Sequence, residues 1–251
     1  LTHIAAAFDL SCHIPPYIAI AGKHGNACGA SVSEDPVRAV RQMITGDTRA
    51  IFGGAVVVNF KIDEKIAEIL AKYSTENSAR RILDLVVARE FSRGALEILG
   101  RKGGRCRFFA NEALNPWDSA VLDSHVRFRY VRGGFLRQRN YTFILNLSGE
   151  YIEKIGDTLK VKEEDLLLAW AIGATSNSNT VTLVKDGMLI GNGVGQQDRV
   201  GACELAIKRA RDAGLTRGIL IGTGLEDSAA ARDLSAQHPD FLSCAAGLDP
   251  F

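Results

Sequence analysis

Tyr17-Ile-Ala-Ile20, Gly22-Lys-His-Gly-Asn-Ala-Cys-Gly29 and Pro36 to Ile44 follow one another near the start of the chain, and their reading decides the fold class. The first four residues are apolar and β-prone, so they read as a short strand. Three glycines then mark a loop. Pro36 follows Glu34-Asp35 and suits a first helical turn, while Val37, Val40 and Ile44 recur at helical spacing. The same alternation continues outward. Ala50-Ile-Phe52, a Gly53-Gly54 break and Ala55-Val-Val-Val58 form an extended block, and Ile62 to Tyr73 is amphipathic. Ile82 to Ala88 reads as a buried strand holding one carboxylate, Asp84, and Ser92 caps a helix running to Leu99.

The middle, Arg105 to Leu147, is richer in β-branched and aromatic residues, with turns at Asn115-Pro116 and Gly133-Gly134. Lys162 to Ala174 reads as a helix whose first turn holds Glu163, Glu164 and Asp165, where the helix dipole favours acids. Asn179 to Val184, a Lys185-Asp-Gly187 turn and Met188 to Ile190 make a hairpin. Gly191 to Gln197 is a glycine-rich loop leading into a helix from Asp198 to Ala213. A strand at Gly218 to Ile221, a helix at Glu226 to Gln237 and a strand at Phe241 to Cys244 end the chain. The expected architecture is an α/β fold, three layers deep, with a mixed sheet because a hairpin sits among the crossovers.

Thirty Lys and Arg against 29 Asp and Glu leave a formal charge of +1, which argues against a large nucleic-acid footprint. Apolar residues at 46% and charged residues at 24% suit a globular chain rather than a disordered one. The longest apolar runs, such as Ala55-Val-Val-Val58, fall far short of the roughly 20 residues a membrane helix needs. Leu1 to Phe8 has no basic leader, so a signal peptide is not expected, and the missing Met suggests a fragment or trimmed product. Five scattered cysteines (Cys12, Cys28, Cys106, Cys203, Cys244) form no C-x-x-C pair, and we expect reduced thiols in a cytoplasmic protein.

Lys23-His24, beside a strand end, is the first chemical candidate. A neutral imidazole can accept a proton from an attacking amine, and a neighbouring ammonium favours that neutral form and can steady negative charge. The pair also reads as a surface lysine beside a structural histidine. Gly191-x-Gly-x-Gly-Gln-Gln-x-Arg199 is the second candidate. Backbone N–H groups before a helix N-terminus suit an anion, and Arg199 can bind one bidentately, although a tight strand-to-helix turn gives the same pattern. It is neither the dinucleotide fingerprint nor a Walker loop. Asn179 could meet a substrate amide or shape a turn. Asp84 among aliphatics is costly unless partnered, which makes it a site candidate or an edge carboxylate reaching solvent.

In this order the motifs resemble one family. Residues from about Ala19 through Lys208 are similar to the transformylase domain of the bifunctional purine enzyme AICAR transformylase/IMP cyclohydrolase. The matching stretches are Lys23-His-Gly-Asn-Ala-Cys-Gly29, Asp35-Pro36, Ile51-Phe-Gly-Gly54 with Asn59, Gly133-Gly-Phe-Leu-x-Gln138, and Ser178-Asn179 through Lys185-Asp-Gly187 to Ile190-Gly-x-Gly-x-Gly-Gln-Gln-x-Arg-Val200. The resemblance implies formyl transfer from 10-formyltetrahydrofolate, a co-substrate, to the exocyclic amine of AICAR in purine nucleotide biosynthesis, with no metal. It implies that His24 accepts the amine proton and Lys23 stabilises the oxyanion. Asn179 would orient the carboxamide, Asp84, Gly53 and Gly54 would contact substrate, and Arg199 would lie in the nucleotide or folate pocket. It also implies a cytidine-deaminase-like fold of two related subdomains and a homodimer with sites at the subunit interface.

The sequence departs from that family in places. It holds neither the cyclohydrolase domain nor the Arg-Tyr-Gly-x-Asn-Pro-His-Gln segment, and only Asp249-Pro-Phe251 resembles Ser-Asp-x-Phe-Phe-Pro-Phe. We therefore expect a transformylase-like domain at residues 1–208 and a short strand–helix–strand tail at residues 209–251. A catalytically impaired, ligand-binding member of the family is the alternative. The tail resembles the opening of TatD-type metal-dependent deoxyribonucleases through Asp212-Ala-Gly, Gly218 to Glu226 and Ala245 to Pro250, without their His-x-His. That gives metal-dependent hydrolysis as a further alternative.

Overall fold

The computed structural model describes residues 1–11, 17–75, 79–114, 122–150, 152, 162–216, 218–221, 225–240 and 242–245. Its elements run α1 (Thr2–Leu10), β1 (Tyr17–Lys23), β2 (Asn26–Ser33), α2 (Pro36–Gly46), β3 (Ala55–Val58), β4 (Lys61–Ile62), α3 (Glu64–Lys72), β5 (Leu85–Ala88), β6 (Glu90–Phe91) and α4 (Arg93–Leu99). Then come β7 (Arg107–Ala110), β8 (Val126–Val131), β9 (Gly134–Arg139), α5 (Glu163–Thr175), β10 (Val181–Lys185), β11 (Met188–Gly193), α6 (Arg199–Asp212), β12 (Gly218–Ile221), α7 (Leu225–Gln237) and β13 (Leu242–Ala245). No helix among the described residues is long and apolar enough to cross a membrane.

Helix starts follow the capping residues. Asp35 accepts from the Arg38 N–H at 2.6 Å, Asp63 from Ile66 at 2.9 Å, Ser92 from Ala95 at 3.1 Å and Asp198 from Gly201 at 2.7 Å. Each satisfies a first-turn donor that the helix itself leaves unpaired. The Asp63 cap moves the start of α3 past Ile62, which belongs instead to β4. Helix α1 had no counterpart in the sequence reading. It carries no side-chain cap and buries Ile4, Ala5, Ala6, Ala7 and Phe8, so tertiary packing rather than local signal explains it.

Seven strands make one mixed sheet in the order β10-β11-β2-β1-β3-β5-β7. β1 is antiparallel to both neighbours, whereas β3, β5 and β7 run parallel. Alternation along the strands sorts side chains to two faces. On one face Ala19, Ala21, Val56, Val58 and Val86 meet α2, α3 and α4. On the other Ile18, Ala30, Val32 and Leu189 meet α1 and α5. Ile190, next to Leu189, points the opposite way and packs with Ile207 and Ala210 of α6. The result is the expected α/β/α layering.

At the end of the chain, β12 and β13 form a separate parallel pair. The strand–helix–strand order matches the sequence reading, although Phe241, Gly222 to Gly224 and Asp249 lie outside the described residues. α6 runs unbroken through residues 208 and 209, and Leu234 of α7 packs with Ile190 and Ile207. In the middle, β8 and β9 pair as a hairpin around Gly133, with Tyr130 86% exposed. The expected turn at Asn115-Pro116 lies outside the described residues.

Pairing directions bring several segments to one end of the sheet. The carboxyl ends of β1 and β11 lie there with the amino ends of β2, β3, β5, β7 and β10. All seven candidate site residues sit on segments that meet this end.

Candidate functional site

The loop expected from Gly22 to Gly29 is a hairpin turn, because β1 continues through Lys23 and β2 begins at Asn26. Only His24 and Gly25 are left between them, with φ of +52° and +80°. Positive φ at both central residues is what a tight type I′ hairpin requires. For a histidine that backbone costs about 1–2 kcal/mol, so the surrounding structure must hold it. The His24 side chain is exposed and Lys23 half-buried.

Lys23 Nζ donates to the Phe52 carbonyl at 2.5 Å, which leaves two of its three N–H groups for a ligand. Phe52 leads into Gly53 and Gly54, with φ of +82° and +79°. A Cβ on Gly54 would lie 2.7 Å from both the Gly22 carbonyl oxygen and Lys23 Cγ, so only glycine lets the β3 lead-in approach the lysine. Asp84 holds this turn from the far side. One carboxylate oxygen accepts from the Gly54 N–H at 3.0 Å and the other from Arg101 at 3.1 Å. The Gly54 N–H first of all, with Arg101 and then Lys23 adding and desolvation opposing, holds the Asp84 carboxyl below its ordinary value.

The sequence reading placed Asp84 inside a buried strand. It instead precedes β5, with its side chain 62% exposed and both oxygens partnered, so its cost among aliphatics does not arise. Asp84 shapes the Gly53-Gly54 turn as well as lining the site.

Lys23, His24, Gly53, Gly54 and Asp84 line one cavity of about 840 Å³. Its floor is the sheet face at Ile20, Val57 and Leu85, which the α1 and α5 layer covers only in part. Ile4 of α1 and Ile172 and Thr175 of α5 form an apolar wall. His3 stands on that wall, with Nε2 3.0 Å from the Tyr141 carbonyl and its ring stacked on Tyr141. Burial lowers its pKa from 6.5. One side therefore carries Lys23, His24 and Asp84 and the other is largely apolar apart from His3, a division suited to a ring-bearing polar ligand.

Asn179 and Arg199 do not line this cavity. Asn179 sits before β10 and donates through Nδ2 to the Gln196 and Gln197 carbonyls at 3.1 and 3.2 Å. Arg199 opens α6 on an exposed first turn. The glycine-rich loop also differs from its reading, since Gly191 and Gly193 belong to β11. A Cβ on either would run into an α6 carbonyl, Ala206 for Gly191 and Ala202 for Gly193. These two glycines serve close helix–strand packing, and only Gly195, with φ of +66°, lies in the open turn.

Asn26, Phe52 and His3 are site residues that sequence reasoning left without a role. Asn26 could have been found, because it lies within the quoted Lys23 to Gly29 motif. The contributions of Phe52 and His3 come from a backbone carbonyl and a tertiary contact, which leave no sequence pattern. Among the described residues no three His, Cys, Asp or Glu side chains come together as a metal-binding group.

The family described as AICARFT/IMPCHase bienzyme matches residues 1–209. The bifunctional purine biosynthesis protein PurH of Thermotoga maritima is 30% identical over 237 residues, covering 94% of this chain and 45% of that protein. PurH of Bacillus cytotoxicus is 32% identical over 227 residues, covering 90% and 40%. PurH of Staphylococcus saprophyticus is 31% identical over 205 residues, covering 82% and 39%. The chain thus spans less than half the length of these relatives, and the Thermotoga match, at 94% of the chain, reaches past residue 209.

Proposed function

The chain belongs to the AICARFT/IMPCHase bienzyme family of purine biosynthesis, and from that premise we propose that it carries formyl transfer from 10-formyltetrahydrofolate to the exocyclic amine of AICAR. What supports this reading is the gathering of Lys23, His24, Gly53, Gly54 and Asp84 around one cavity with an apolar far wall. The attacking amine forms a bond to the formyl carbon, and His24 takes the proton that the nitrogen loses. Lys23, held by the Phe52 carbonyl, offers its remaining N–H groups to the oxygen on which negative charge develops. When the bond to the folate nitrogen breaks, His24 returns the proton to that nitrogen. No metal or redox step is needed.

Asn179 and Arg199, at the same sheet end but outside this cavity, are proposed to orient the substrate carboxamide and to serve the nucleotide or folate pocket. Residues 1–208 are proposed as the transformylase-like unit and residues 209–251 as a short tail, of which Leu234 packs with Ile190 and Ile207. A homodimer in the cytoplasm is the proposed working state. Among the described residues Cys28, Cys106 and Cys203 are not in disulfides, which suits a reducing compartment.

The test is product formation from AICAR and the formyl donor. His24→Asn keeps a residue tolerant of left-handed backbone and removes the imidazole. We expect wild-type turnover to fall by about 10²–10⁴-fold in this variant. A wild-type rate that His24→Asn leaves unchanged would reject the assignment. The placement of Asn179 and Arg199 outside the cavity favours a second reading, ligand binding without turnover, which steady catalysis by this chain alone would end.

A further inference from the structure

We propose that Asn26 is a positioning residue that ties the Lys23-His24 turn to the loop carrying Asn179, an inference that rests on the formyl-transfer reading. Asn26 is the first residue of β2, directly after the strained turn. Its Nδ2 donates to the His24 carbonyl at 3.3 Å, and its Oδ1 accepts the Asn177 N–H at 3.0 Å. One carboxamide thus joins its own turn to a segment 151 positions further along the sequence. A carboxamide can do this because it carries a donor and an acceptor on one short, planar group.

From Asn177 the hydrogen bonds continue without a gap. Its carbonyl accepts from the Gly195 N–H at 2.9 Å. Asn179 and Gln196 exchange backbone bonds at 2.9 and 3.2 Å, and Asn179 Nδ2 adds its bonds to residues 196 and 197. Asp198 then caps α6, whose first residue is Arg199. The two groups outside the cavity are therefore connected to the histidine turn through Asn26.

Asn26 also supports the left-handed backbone of His24, which has no glycine to relax it. Loss of this support would let the imidazole wander by about an ångström, enough to cost up to about a hundredfold in rate. The effect should fall on turnover more than on KM, since the cavity walls remain.

Two readouts test the link, hydrogen exchange of the Asn177 amide and the split between kcat and KM for formyl transfer. In Asn26→Ala we expect Asn177 exchange to speed at least tenfold and kcat to drop about ten- to a hundredfold, with KM for AICAR changing less. Asn26→Asp keeps the acceptor for Asn177 and loses the donor to His24, so Asn177 should stay protected while kcat still falls. Should Asn26→Ala fail to fold, Asn26→Ser, too short to reach Asn177, carries the same expectation. Unchanged Asn177 protection in the Ala or Ser variant, or unchanged kcat in a turning-over enzyme, overturns the proposal. A wild-type chain that makes no formylated product would instead count against the formyl-transfer reading, and exchange at Asn177 would then decide the structural link alone.

Discussion

Gly53 and Gly54 carry φ of +82° and +79° and border a cavity, whereas Gly191 and Gly193 lie in a strand beneath a helix. Both pairs sit at the same end of the sheet, and both belong to stretches that resemble the same family. In the first pair Gly54 lets a turn approach Lys23, where a Cβ would meet the Gly22 carbonyl and the lysine stem, and Gly53 supplies the positive φ beside it. The second lets α6 settle on β11, where any Cβ would meet backbone carbonyls of the helix. Glycine spacing alone cannot separate a ligand-facing turn from a packing contact, because each needs only a missing Cβ.

Substitutions should separate the two roles. The largest effect belongs on the cavity side, where His24→Asn should lower turnover by about 10²–10⁴-fold while leaving the unfolding midpoint nearly unchanged, since the ring is exposed. Gly193→Ala should do the reverse. Overpacking against the Ala202 carbonyl should cost about 1–3 kcal/mol in urea unfolding, with KM little altered. Lost ligand binding at full stability would return these glycines to the anion-cradle reading. Gly195→Ala is the control between them. It has open space around it and a φ of +66°, so about 1 kcal/mol of backbone strain is its whole expected cost.

The smallest expected effect concerns Asp84. Its folded pKa is lowered, so its contribution is present above the unfolded value near 3.8 and is lost as pH falls through the folded value. Thermal melts of wild type and Asp84→Asn should therefore differ most above about pH 4 and converge in stronger acid. Because the carboxylate is largely exposed, the difference should be small. A gap that widens on acidification would contradict the bonding described at Gly54.

Much of the fold was legible because its signals are local. Pro36 after Asp35, Ser92 before Arg93 and the Lys185-Asp-Gly187 turn each mark a boundary through a backbone requirement of its own. Helix α1 was not legible, since an apolar run without a cap becomes helical only through its contact with α5. The Lys23-His24 pair, the Gly53-Gly54 break and Asp84 lie far apart in the sequence, and antiparallel pairing of β1 with β3 together with parallel pairing of β3 with β5 brings them together. The hairpin at residue 24 was hidden because Lys-His-Gly-Asn reads as a loop until its strand partners are known. The same holds for Gly191 and Gly193, whose neighbours in α6 arrive only through the fold.

A titration of isotope-labelled protein with AICAR, followed by backbone amide NMR, tests most directly whether the turn-lined cavity is the nucleotide site. We expect the Lys23, His24, Gly53 and Gly54 amides to shift with a single saturating curve, while the Gly191 and Gly193 amides scarcely move. Shifts gathered on another surface, such as the groove beside Arg38 and Arg41 on α2, with the turn amides still, would contradict it.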